Sequence, residues 1–545
     1  MAAAGTRTFS DPIAPSSRAP TMMPLEILQN ILRHLDRLFL FFGLNPLHVF
    51  RSIRKDEGLP TTAHNVIRSC IVMRPLYDFQ EEVVSLFTEP CNIRRMQDMS
   101  RCLTQDYLKK LQDSPACMLP SFCHTLPTGT ENGTYIALDV GGSTFRVAVV
   151  DLNTRFNTGN PLSIKHMTVH KIDEQIRRLR SKEFFSWMAG KMVDTLQQCQ
   201  HTQDLPRQTV SVGLAWSFPI EQTGYRGGTV QPMGKGFRAH EGIIGDDLGD
   251  LIEAACQTHG LNVQVNAIVN DSSATLLSQA YMDSATTMSL ILGTGTNAAV
   301  YLPVKLLGED KFGMRDPAWF QQADNVIVNT EVSMFGKNIL PVTRWDETLN
   351  EKHVCPDFQP LEYMTTGRYL GEILRLLIAE AVDTCHMFDG LMPVPLQDEY
   401  TLDTALLAAI EEDTTMGCIS SAERVQKEFH LLRLPTPAEM TFLRSAVESI
   451  SHRAAAYMAV AIHALWSLEH DPSIEEHSRT IVAANGSVIS MYPGFRKRCQ
   501  QYANDLVGAA VPLLTSHIQH EISIQPTEEA TILGVAVAVA LCEAA

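Results

Sequence analysis

Tyr135 to Asp151 reads YIALDVGGSTFRVAVVD, and Met288 to Leu302 reads MSLILGTGTNAAVYL. Both stretches have the same order of parts: an apolar β-type run, a glycine-rich turn, and a second β-type run. Each is the pattern of a β-hairpin. Two such hairpins far apart in one chain predict two related α/β lobes facing each other across a cleft. Helical periodicity follows each hairpin, over Ser272 to Met282 and Gly371 to Val382, and the stretch from about Ala405 to Leu468 is mostly helical in pattern.

The rest of the composition narrows the class. A chain of 545 residues that is 45% apolar and 19% charged can bury a large core. Its formal net charge of −17 argues against binding along a nucleic-acid backbone, which needs a positive surface. The 12 cysteines form no CxxC pair, so they read as reduced, mostly buried residues of an intracellular protein. His517 and His520 are too few to make a metal site. No run approaches the roughly 20 apolar residues of a membrane span, and Leu38 to Leu44 reads as part of a buried amphipathic helix. The first twenty residues, rich in Ala, Ser and Pro, read as a disordered tail.

Two motif matches do not hold. Gly293 to Ala298 fits the dinucleotide pattern GxGxxA, but that motif must open a helix, and here it runs into the strand-like Ala299-Val300-Tyr301-Leu302. Gly234-Lys235-Gly236 lacks the loop length and the Ser or Thr of a P-loop.

The glycine turns themselves carry chemistry. Backbone N–H groups that converge in a turn can hold phosphates, and glycine permits the close approach. Asp139, Gly141, Gly142, Ser143 and Thr144 supply one such turn with an acid that could orient a hydrated Mg²⁺, and Arg146 lies just beyond; Gly293, Thr294 and Gly295 supply a second. Between them, the apolar run Val263 to Val269 ends at Asn270-Asp271, after which a helix begins. Asp271 reads either as a helix N-cap or as a carboxylate that takes a proton from a substrate hydroxyl during phosphoryl transfer.

At this point the chain resembles the hexokinase family. Met118-Leu119-Pro120 followed by LDVGGSTFRV resembles its MLP…LDLGGTNFRV, Ser217-Phe218-Pro219 its SFP sugar loop, and Gly234-Lys235-Gly236-Phe237 its TKGF. Asn270-Asp271 matches VND, Gly293 to Asn297 matches GTGxN, and Asn329-Thr330-Glu331 matches NTE. Gly367 to Glu372 resembles GKYMGE, and Gly486-Ser487-Val488 with Tyr492 to Phe495 resembles the adenosine segment. The matches run in order from about Met118 to the C-terminus.

The resemblance implies an α/β, actin-like ATPase (ribonuclease H-like) fold with two lobes around a central cleft. It implies a mainly helical part over residues 21–125, a small lobe over 126–275 and a large lobe over 276–545 whose last helix returns to the small lobe. Asp271 would be the general base, and Asn270, Asn297, Glu331 and Glu351 would grip sugar hydroxyls, with Ser217 and Lys235 completing the pocket. The two turns, Gly486, Ser487 and Thr531 would hold ATP, and Asp139 would act on Mg²⁺ through water. The implied activity is transfer of phosphate from ATP to the 6-hydroxyl of a hexose such as glucose, feeding glycolysis. The implied setting is cytoplasmic, with mitochondrial-surface or nuclear pools and regulatory protein partners left open.

Departures from the family pattern motivate a second reading, a catalytically weak or inactive glucose sensor. Gly234 stands where the family has Thr, removing a hydroxyl worth roughly 0.5–1.5 kcal/mol. Asn485 replaces an Asp. Ala530 and Ile532 replace glycines of a GSGxGAA segment, and Ile532 is expected to fill volume that the nucleotide needs.

Overall fold

The computed structural model describes residues 73–156, 160–199, 209–234, 236–469, 478–510 and 520–544. The N-terminal tail, the Leu38–Leu44 segment, Lys235 and His517 lie outside the described residues. The chain divides into two compact units, Met1–Arg74 and Pro75–Ala545, and the second carries everything that follows.

A short strand, β1 (Leu119–Pro120), precedes the first hairpin, β2 (Gly133–Val140) and β3 (Thr144–Leu152). Then come β4 (Leu162–Lys171), β5 (Val210–Trp216), a small hairpin of β6 (Ile220–Gln222) and β7 (Gly228–Val230), and β8 (Val263–Val269). Five of these make one sheet in the order β4-β3-β2-β5-β8, antiparallel through β2–β3–β4 and parallel through β2–β5–β8. The second half of the chain repeats the plan with β9 (Thr286–Leu292), β10 (Thr296–Pro303), β11 (Asn325–Asn329), β12 (Ser478–Asn485) and β13 (His520–Pro526). Its order is β11-β10-β9-β12-β13, with β1 added beside β11. Two sheets with the same internal order are the two related α/β halves that the hairpins predict, in the doubled arrangement that the resemblance implies. The second glycine turn does run into a strand, β10, so the dinucleotide pattern has no helix to open.

The first sheet is sorted by face, because successive residues of a strand point to opposite sides. Ile136, Leu138, Val140, Val212 and Leu214 share an apolar cluster with Phe184, Met188 and Met192 of the helix Ser181–Gln198. The alternate positions are small: Ala137, Ala215 and Ala267 share a cluster with Val535 and Val539 of the last helix, Ala530–Ala544. At Gly213 a Cβ would fall 2.6 Å from Val535 Cγ1 and Val539 Cγ2, so the absent side chain lets that helix lie on β5. Such burial of both faces explains why β2, β5 and β8 read as nearly continuous apolar runs.

The second core is mainly helical around the 33-residue helix Pro437–Glu469. The helices Leu76–Thr88 and Ile93–Asp113 dock on it, with Phe79 stacked on Phe442 at 5.4 Å. The expected helices after the hairpins are present as Asp271–Met282 and Gly367–Cys385.

Candidate functional site

Many of the candidate residues lie at or just past the C-terminal end of a strand, where open α/β sheets form their ligand crevices. Asp139 ends β2, Ser217 follows β5, Asn270 and Asp271 follow β8, Glu331 follows β11 and Gly486 follows β12.

The first turn closes with the Gly141 N–H donating to the Thr144 carbonyl at 3.0 Å, leaving Ser143 exposed at its tip. Asp139 and Arg146 are directly opposed across β2 and β3, and Arg146 Nε donates to Asp139 Oδ2 at 2.8 Å. A second guanidinium nitrogen, Nη1, donates to Glu529 Oε2 at 2.7 Å, tying the turn to the start of the last helix. Burial raises the Asp139 carboxyl above its ordinary pKa, an effect that Arg146 opposes and the Glu529 charge reinforces.

At the second turn the Gly293 N–H donates to the Gly295 carbonyl at 2.9 Å, and the Gly293 carbonyl accepts from the Gly367 N–H at 2.8 Å. Thr294 is exposed between the two glycines. Gly486 has φ +117° and packs so closely that a Cβ would lie 2.4 Å from the Leu292 carbonyl oxygen; only glycine fits. A Cβ on Gly293 would meet the Ser487 nitrogen at 3.3 Å, so three separate segments of the chain, around Gly293, Gly367 and Gly486, converge here.

A polar network between the sheets links several of the candidate residues. Asn270 is the N-cap of the helix Asp271–Met282, its Oδ1 accepting from Ser272 N at 2.8 Å and from Ser272 Oγ at 2.6 Å. Asp271 is the first helical residue and is half-buried, and its Oδ1 also accepts from Ser272 N, at 2.7 Å, so it shares that N–H with the cap. Asn297 Nδ2 donates to Asn329 Oδ1 at 2.8 Å, and Asn329 Nδ2 donates to Glu331 Oε1 at 2.9 Å. Ser272 Oγ reaches the same Asn329 oxygen at 3.4 Å. Glu331 sits at φ +50°, a left-handed conformation that costs a non-glycine residue energy and recurs at ligand sites. Its neighbour Thr330 is anchored, donating through N and Oγ1 to the Ala298 carbonyl at 3.0 and 2.8 Å. Ser217 donates its N–H to the Val140 carbonyl at 3.2 Å, which places the SFP loop against the end of the first phosphate strand.

Some residues fall elsewhere. Glu351 is exposed near the end of the helix Arg344–Lys352. The acid that the structure brings to the second turn is Glu362, whose Oε2 accepts from the Thr296 N–H at 3.1 Å and lies over Gly295. Its sequence signal is its place five residues before Gly367, the start of the stretch resembling GKYMGE. Asn329, the hub of the network, stands in the quoted NTE motif without a role assigned to it. Gly234 has φ +68° with open space around it, so its backbone favours glycine irrespective of any lost hydroxyl.

At the start of the last helix, Thr531 is buried beside Glu529, which has φ +47° just ahead of it. The expectation for Ile532 is corrected. Its side chain is fully buried in the apolar cluster that holds Ala215, Ala267, Ala274 and Leu277, so it faces the core and takes no volume from a ligand cleft. The helix rotates the substituted position inward, and burial of a β-branched apolar side chain is favourable there.

Profiles described as Hexokinase match the chain over residues 84–281 and 287–541. Hexokinase-1 of Schizosaccharomyces pombe is 28% identical over 474 residues, covering 86% of this chain and 91% of that protein. Hexokinase-1 of Saccharomyces cerevisiae is 29% identical over 431 residues, covering 78% of this chain and 84% of its own. Among solved structures, a Schistosoma mansoni hexokinase complexed with glucose superposes with a TM-score of 0.69 at 25% identity, covering 86% of this chain and 100% of that one.

Proposed function

This chain belongs to the hexokinase family, whose members are hexose phosphotransferases, and on that footing we propose that it transfers the γ-phosphoryl group of ATP to the 6-hydroxyl of a hexose such as glucose. The observation that carries the reading is the Asn270-Asp271 pair at the end of β8, where Asn270 is the N-cap and Asp271 does not cap the helix alone. With Asn270 capping the helix, Asp271 can accept the hydroxyl proton as the sugar oxygen bonds to phosphorus and the bond to ADP breaks. Asn297, Glu331 and Glu362 surround Asn329 and the second turn with amide and carboxylate groups, the kinds of group that bind several hydroxyls directionally. The glucose complex of the structural neighbour supports a hexose in that place.

The backbone N–H groups of the two glycine turns would hold the phosphates of ATP, with Thr531 and Ser487 beside them. Asp139 suits Mg²⁺: a hard carboxylate oxygen whose partner Oδ2 is committed to Arg146, in a setting where that ion ordinarily keeps several waters and rides on substrate phosphates. Among the described residues no three His, Cys, Asp or Glu side chains gather into a cage, so Asp139 would act on the hydrated ion together with the nucleotide. When bound, Mg²⁺ would neutralise charge on the transferring phosphates. No helix of the described residues is long and apolar enough to cross a membrane.

The test is glucose-dependent ADP release by the full chain, with Asp271→Asn as control. The proposal expects turnover that falls by roughly two decades or more in the variant, as for loss of a general base, while sugar binding persists. Sugar binding without ADP release in wild type would replace the kinase reading with the sensor reading.

A further inference from the structure

The geometry points to Arg177 as a positioning residue that couples the sugar loop to the first phosphate turn, an inference that rests on the kinase reading. Arg177 ends the short helix Glu174–Arg177 and belongs to neither motif. Its Nη2 donates to the Gly142 carbonyl at 2.9 Å, in the middle of the first turn. Its own carbonyl accepts from the Arg238 N–H at 2.9 Å, and its guanidinium carbon lies 5.8 Å from the centre of the Phe237 ring. Phe237 in turn meets Phe218 edge-on at 4.8 Å, and Phe218 is the central residue of Ser217-Phe218-Pro219. One side chain therefore touches the phosphate turn at one end and the segment that closes the sugar pocket at the other.

The consequence follows from peptide geometry. A trans peptide is planar and carries its C=O and N–H in opposite directions. Holding the Gly142 carbonyl toward Arg177 aims the N–H of Ser143 the other way, and Ser143 is exposed. Gly141 and Gly142 lack the Cβ atoms that would restrict this peptide, so an external contact is needed to keep it from rotating. Ile172 N holds the next peptide instead, donating to the Ser143 carbonyl at 2.8 Å from the end of β4. Arg177 also buries its Nε without a hydrogen bond, an arrangement that is unfavourable by itself and is maintained by the contacts on either side. A sugar that orders Phe218 and Phe237 thereby orders the donor for the nucleotide phosphates, and the coupling must be reciprocal.

The experiment measures binding of a non-hydrolysable ATP analogue with Mg²⁺ by calorimetry, at saturating glucose and without glucose, together with the Kd for glucose alone. Arg177→Met removes the guanidinium, and with it the donor to Gly142 and the cation over Phe237, while keeping an unbranched apolar side chain. It should weaken the analogue about tenfold at saturating glucose, the scale of one charged-donor hydrogen bond, and leave the glucose Kd within about twofold. Arg177→Lys should recover part of the loss. The inference is overturned if wild type binds both ligands and Arg177→Met binds the analogue equally well at saturating glucose. It is also overturned if analogue and glucose affinities fall by the same factor along with the melting temperature, the mark of a merely structural role. Wild type that binds neither ligand overturns the kinase reading itself, and the role of Arg177 with it.

Discussion

Gly534 lies so close to Ala274 that a Cβ built on the glycine would fall 1.7 Å from the alanine carbonyl oxygen. The contact joins the last helix to the helix that begins at Asp271, backbone against backbone. Neither partner can yield by rotating a side chain, so the two helices must separate if anything larger is placed there.

Gly534→Ala should therefore destabilise the fold by at least about 3 kcal/mol, the upper end for overpacking, despite alanine's better helix propensity. Because the displaced helix carries Asp271, turnover should fall more steeply than the folded fraction. Chemical denaturation followed with activity per folded molecule checks both parts. A variant as stable as wild type would show that the helices sit farther apart than this contact requires.

The buried placement of Ile532 reverses what restoring the family's glycines should do. Ala530→Gly with Ile532→Gly would leave a cavity among Ala215, Ala267 and Leu277 and add two glycines to a helix. The expected loss is roughly 4 kcal/mol or more, with no gain in ATP affinity. A denaturant midpoint and an ATP titration decide it. A stable double variant with improved ATP use would put the Ile532 side chain back at the nucleotide.

Those two residues also show where the sequence is legible and where it is not. The hairpins at Gly141 and Gly293 are readable because alternation and a glycine turn are local properties. Asn270 and Asp271 are readable as a pair at a strand-to-helix junction, but that Ser272 N is shared between their two side chains is local geometry that no motif encodes. Ile532 is readable as a departure, yet the direction it faces is set by packing against β5, β8 and the Asp271 helix, which no motif encodes. Asn329 is a hub only because Asn297 and Ser272, 32 and 57 residues away, come to the same oxygen. Glu362 is brought to the second turn by its hydrogen bond from Thr296 N, 66 residues away, whereas the sequence points to Glu351.

The placement of Glu362 makes a direct comparison between acids. A hexose that binds only the folded state raises its stability, by about 2.7 kcal/mol at one hundred times Kd. Glu331→Gln and Glu362→Gln should each remove much of the glucose-induced rise in melting temperature, whereas Glu351→Gln should leave it intact. The readout is thermal denaturation with and without millimolar glucose. Loss of the shift in Glu351→Gln alone would return the sugar contact to that helix.

Acid sensitivity should trace in part to His463, far from the cleft on the long helix Pro437–Glu469. Its Nδ1 shares a hydrogen bond of 2.8 Å with Ser100 Oγ, its Nε2 is buried without a partner, and burial pulls its pKa down to about 4. In the unfolded chain the same imidazole takes a proton near pH 6.5. As pH falls below that value the unfolded state binds the proton first, so stability declines from about pH 6.5 down to about 4 and is unaffected by this group above it. Between pH 7 and pH 5 the loss from this one residue is on the order of 2 kcal/mol. His463→Gln keeps a polar partner for Ser100 and cannot titrate, so its denaturation midpoint should fall less than that of wild type over the same interval. Equal pH slopes in the two proteins would move the acid sensitivity to carboxylates that hydrogen bonds hold below their ordinary range, Asp413 and Glu439, since Asp139 and Glu411, raised by burial, contribute more as the pH falls.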